Sequence, residues 1–152
     1  MSTNARIIIK VRKEDIGKVK NFKAGLLPEG IKIAKNFSPY EKNKRGASAY
    51  CNAKVEIKGM YLSIHHHWDG DMLMEELKKY STYEQALNLV LAGDVSNIIT
   101  YCYDEPKGIT PYYCRGEKWS WVRPFQSVKL ADVPREEYNY IFTEGRGWHR
   151  VH

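Results

Sequence analysis

Apolar and polar positions along the chain alternate between two periods. The run "ARIIIKVR" (Ala5 to Arg12) is dense in β-branched residues and predicts a strand. "AYCNAKVEI" and "MYLSIHHHW" flank the Lys58-Gly59 pair and predict a β-hairpin closed by a short Gly-containing turn. The period then lengthens. In "DMLMEELKKY" Leu73, Leu77 and Tyr80 recur at helical spacing, and in "STYEQALNLVLAGD" Tyr83, Ala86, Leu87, Val90 and Leu91 form a fuller stripe. Ser81 and Glu84 have the spacing of a capping box, and Gly93 is placed to end that second helix. Two more hairpins are predicted downstream, in "TPYYCRGEKWSWV" around Arg115-Gly116 and in "EYNYIFTEGRGWHRV" around Gly145 to Gly147. Between the first strand and the first hairpin, Gly25, Pro28, Gly30, Pro39 and Gly46 break the pattern repeatedly, so an irregular connection is expected there.

The expected class is therefore α+β: a largely antiparallel β-sheet built of hairpins, with an inserted pair of α-helices. A chain of 152 residues fits one domain, which at this size buries about 68–70% of its unfolded surface without needing disulfides. The three cysteines, Cys51, Cys102 and Cys114, are odd in number and lack C-x-x-C spacing, so free thiols and a cytoplasmic location are expected. No apolar run is long enough for a signal segment or a membrane span, and no membrane partner is expected.

Charge changes the picture more than composition does. The net charge is +6, yet residues 1–50 carry 12 Lys and Arg against 4 Asp and Glu, while the remaining residues carry 12 against 14. The basic character belongs to the first third, and residues 51–152 form the rest of the domain. A basic segment favours an anionic partner, although solubilising lysines on a loop-like region explain it equally well.

Among the candidate sites, "HHHWDGD" is the most conspicuous. On a strand, alternation places His65 and His67 on one side with Ser63 and Tyr61, and His66 on the other with Leu62 and Ile64. Three histidines on one strand cannot converge as a triad. His66 is expected as a hydrogen-bonded histidine at the core edge. His65, His67 and Asp69 form the alternative of a divalent-metal site, as in a metal-dependent hydrolase. Asp69 is read in preference as an N-cap of the helix that follows. No nucleophile elbow and no phosphate-binding loop is present, so no catalytic residues are assigned, no cofactor is expected, and the chain offers no positive case for an enzyme.

The aromatic and basic residues are the better lead. "YYCRGEKWSWVRP" sets Arg115, Lys118 and Arg123 around Trp119 and Trp121. Aromatic faces stack on bases while cations take phosphates, a combination that suits nucleotides and single strands. A buried core role accounts for at least one of these tryptophans.

"HWDG" (His67 to Gly70), "YSTYEQALNLVLAGDVS" (Tyr80 to Ser96), "YYCRGEKW" (Tyr112 to Trp119) and "EYNYIF" followed by "GW" (Glu137 to Trp148) resemble, in this order, a family of small bacteriophage and prophage proteins. That family shows His-Trp-Asp-Gly, Gly-Asp-x-Ser, Arg-Gly-Glu-x-Trp and a Tyr-rich final hairpin. The chain departs from it after Gly70, where Asp71-Met72-Leu73-Met74 stands in place of the usual Tyr-Pro and Gly. The resemblance implies that His67, Trp68 and Asp69, rather than the three histidines together, are the positions to watch. By analogy it implies a role in counter-defence or host takeover. The expected activity is binding of an anionic nucleotide or of a host nucleoprotein complex, with Trp68 and Trp119 stacking, Arg115 and Lys118 meeting phosphate, and His67 and Asp69 supplying polar contacts. A nucleic-acid-binding module and a pure protein–protein interaction module with a host partner are the other expectations.

Overall fold

The computed structural model describes residues 3–22, 53–91, 93–97, 109–111 and 125–151. The Ile-rich run forms β1 (Ala5–Lys10), and the chain continues through a 3-10 turn (Lys13–Asp15) into β2 (Val19–Phe22). Then come β3 (Ala53–Glu56), β4 (Tyr61–His66), a 3-10 turn (Gly70–Met72), α1 (Leu73–Leu77), α2 (Tyr83–Leu91), β5 (Val95–Asn97), β6 (Thr110–Pro111), β7 (Gln126–Val128), β8 (Tyr138–Thr143) and β9 (Gly147–Val151).

Among the described residues seven strands share one sheet in the order β6-β5-β4-β1-β8-β9, with β7 also paired to β4; β2 and β3 form a separate two-stranded ribbon. The α+β class holds, but the sheet is mixed. Four of its pairings are antiparallel, whereas β1 runs parallel to β8 and β4 parallel to β5. An alternation pattern records which face a residue takes and not the direction of the neighbour, so the parallel pairs have no signature of their own.

β1 lies in the middle, between β4 and β8, and both of its faces are covered. On one face Ile7 and Ile9 pack with Leu62, Ile64, Tyr140 and Phe142 under the buried stripe of α2. On the other, Ile8 packs with Ile141 and Val133, flanked by Tyr61, Val128 and Val151. An uninterrupted Ile-Ile-Ile is what a strand covered on both sides requires. Each of these fully buried side chains contributes about 1.5–3 kcal/mol by leaving water.

The helical pair forms as the spacing predicts, with Leu73 and Leu77 buried on the first, Tyr80 buried just beyond its end, and Tyr83, Ala86, Leu87, Val90 and Leu91 buried on the second. The first is shorter than its pattern, because Gly70–Met72 is a 3-10 turn rather than α-helix. The capping box is shifted by one residue: Gln85 N–H donates to Thr82 Oγ1, and Thr82 N–H donates to Gln85 Oε1, each at 3.1 Å. Thr82 and Gln85 satisfy the same template as Ser81 and Glu84, one position along. Gly93 takes φ +84° and donates to Val90 O, closing the helix as expected.

Of the three predicted hairpins, the last forms as read, with β8 and β9 joined at Thr143 to Gly147. The first does not form. β3 pairs with β2, and β4 pairs with β1, so the chain passes straight through Lys58-Gly59 instead of reversing there. The glycine is needed for another reason: a Cβ on Gly59 would stand 2.5 Å from the Val128 backbone, where β7 crosses. The predicted hairpin around Arg115-Gly116 lies outside the described residues apart from β6.

Candidate ligand site at the end of the central strands

β4 delivers the histidines to one end of the sheet. Alternation sends His65 to the face shared with Arg6 and Asn139, its neighbours across β1 and β8, and sends His66 to the core face beside Ala5. The chain beyond β4 is then fixed by backbone contacts. His67 N–H donates to Val95 O at 3.0 Å, Gly70 N–H to Thr3 O at 2.8 Å, and Met72 N–H to Asp69 O at 3.1 Å. The Tyr140 hydroxyl donates to Gly70 O at 2.7 Å.

This turn passes through Asp69, the single non-glycine among the described residues with positive φ, at +63°. Short polar side chains tolerate the left-handed region better than most. Gly70 follows because a Cβ there would meet Thr3 O at 2.6 Å and Ala5 Cβ at 2.8 Å. Asp69 stands at the N-cap position of the 3-10 turn, but its side chain makes no capping hydrogen bond. The capping role expected of it is therefore not what the residue does; it supplies backbone conformation.

The turn leaves Trp68 43% exposed. The His67 ring packs edge-on against the indole with centroids 4.7 Å apart, and His65 packs edge-on against His67 at 5.9 Å. Behind them stands an ionic group absent from the sequence reading. Glu136 Oε1 lies 3.2 Å from both Arg6 Nη2 and His65 Nδ1. Asn139 holds the Glu136 backbone from both sides, accepting its N–H at 3.0 Å and donating to its carbonyl at 2.9 Å. Burial pushes the His65 imidazole below its ordinary value; Glu136 opposes that shift and Arg6 adds to it. Arg6 and Glu136 are far apart in sequence. Their one signal was an arginine directly before the Ile7 to Ile9 run.

His66 is fully buried, as its side of the strand implies, but neither ring nitrogen has a hydrogen-bond partner, against expectation. Its register neighbours on that face are Ala5 and Val95. Burial pushes its pKa down to about 3, and only the polar backbone at Trp68 opposes this.

Among the described residues no group of three His, Cys, Asp or Glu side chains is placed to hold a metal ion. His65, His67 and Asp69 thus do not close into the alternative metal site. Of the expected ligand-binding residues, His67 and Trp68 meet at the turn with Asp69 next to them, while Arg115, Lys118 and Trp119 lie outside the described residues. No helix among the described residues is long and apolar enough to cross a membrane. No protein-family model, curated protein or solved structure matches this chain.

Proposed function

We propose that the chain is an accessory binding protein of bacteriophage or prophage type, active in the host cytoplasm, that sequesters an anionic nucleotide as a means of counter-defence or host takeover. The single observation that carries the binding reading is Trp68, held half out of the protein on a hydrogen-bonded turn, with His67 against its edge and a guanidinium and a second imidazole behind. A large aromatic ring fixed in this way costs little further ordering when it stacks on a base. Such a stack contributes about 1–3 kcal/mol. The phage assignment is supported by the order of motifs running from His67-Trp68-Asp69-Gly70 to Trp148. The action is occupancy, with no chemical step.

Thermal unfolding against mono-, di- and cyclic nucleotides tests the reading. A ligand at about 100 times its dissociation constant adds roughly 2.7 kcal/mol of stability, a shift of several degrees. The shift is expected for at least one nucleotide, and Trp68→Ala is expected to abolish it without lowering the melting temperature of the free protein. A flat response across the panel would remove the nucleotide and leave a protein partner.

A further inference from the structure

Arg6 is only 7% exposed, and its Nε has no hydrogen-bond partner. A guanidinium carries five N–H donors and cannot lose its charge, so an unmet donor at this depth is costly. Among the described residues the anion it meets is Glu136, through a single oxygen that also contacts His65. Both distances are 3.2 Å, at the long end of the hydrogen-bond range. The same protein shows what a committed pair looks like: Arg12 meets Glu144 through two parallel contacts of 2.7 and 2.9 Å. Further along the same face, opposite Ile8 rather than Arg6, the Ser63 hydroxyl is also buried without a partner. A planar fork with a spare donor, next to an imidazole, matches the oxygens of a phosphate better than it matches one carboxylate oxygen.

We propose that Arg6, with His65, anchors an oxyanion site on this face of the sheet, and that the Glu136 carboxylate occupies it as a built-in counter-ion which the phosphate of a ligand displaces. Glu136 is suited to that exchange. Its backbone is clamped by Asn139, while its side chain, 22% exposed, is held among the described residues by the two shared contacts. Release needs a change of rotamer and no movement of the loop. The site lies on the His65 and His67 side of the turn that carries Trp68, which would set a phosphate next to a stacked base. In naming a nucleotide as the source of the phosphate, the proposal rests on the reading above; the oxyanion site itself does not.

Isothermal titration of the full chain with inorganic phosphate, adenosine 5′-monophosphate and adenosine tests it. Glu136→Gln keeps the size of the side chain and removes the competing charge, so phosphate should bind about tenfold more tightly than to the natural chain. Arg6→Gln should lose phosphate binding; if that variant does not fold, Glu136→Gln decides alone. Equal phosphate affinity with and without the Glu136 carboxylate, or no phosphate binding by Glu136→Gln, overturns the proposal. Binding of adenosine through Trp68 without any response to phosphate also overturns it and leaves the nucleotide reading standing. Phosphate binding that Glu136→Gln strengthens, with the monophosphate bound no more tightly than phosphate, supports the site and removes the nucleotide.

Discussion

The Tyr83 hydroxyl donates to the Asp15 carboxylate at 2.5 Å and accepts the Arg12 backbone N–H at 2.9 Å, so the first turn of α2 is bonded to the 3-10 turn that follows β1 through one buried oxygen. The Arg12 guanidinium covers the same ring at 4.2 Å. Tyr83→Phe keeps the ring and deletes both hydrogen bonds. The expected loss is about 1–3 kcal/mol, read from urea unfolding, because a buried N–H and a carboxylate oxygen each lose their partner. Burial, and then the bond to Asp15, hold the phenol well above its ordinary value of 10.0. The folded state thus keeps this proton where the unfolded chain releases it. Stability should fall as the pH rises above about 10, and less so in Tyr83→Phe.

His66 sets the opposite limit. Its folded-state pKa of about 3 lies below the ordinary 6.5, so the unfolded chain takes up a proton that the folded protein refuses. The stability present above pH 6.5 is lost progressively as the pH falls from there towards 3. His66→Leu replaces an unpartnered buried ring with an apolar side chain and should flatten that slope. Melting temperatures at pH 7 and pH 5 check this: a variant that loses as much between them as the natural chain contradicts the assignment.

Gly59→Ala should be more damaging than a glycine substitution in an exposed turn. Its Cβ would sit 2.5 Å from the carbonyl of Val128, and β7 must move away from β4 to admit it. Overpacking of this kind costs about 1–3 kcal/mol. Alanine at Gly145, where nothing lies within 4 Å of the added carbon, provides the control, since only the positive φ strains it.

Asp69→Gly separates conformation from chemistry. Because the residue adopts a left-handed backbone and caps nothing, glycine should raise stability or leave it unchanged, within about 1 kcal/mol, in chemical denaturation. A drop of 2 kcal/mol or more would show that the carboxylate does something the geometry lacks.

What the sequence disclosed was whatever depends on one element at a time. β1, the apolar stripe of α2, the Gly93 terminus, the final hairpin and the division of His65 and His67 from His66 all follow from local period and local residue type. Neighbour relations were hidden. Lys58-Gly59 looks like a turn because turn glycines and close-approach glycines share one letter, and the difference lies in Val128, far along the chain. The site divides in the same way. Trp68 and His67 adjoin in sequence and could be read together, whereas Arg6, His65 and Glu136 meet only once β1, β4 and the approach to β8 are side by side.

The parallel pairing of β1 with β8 has a consequence for time as well as shape. Ile7 lies beside Tyr140, so β1 finds one of its two neighbours only after every residue between them has been made. Until then the Ile-rich segment has one unpaired edge, and the loop that must close runs all the way from β1 to β8. Refolding should therefore fall in the millisecond-to-second range of sheets dominated by distant contacts. During synthesis, the interval before β8 arrives is when this protein is most exposed to misassociation.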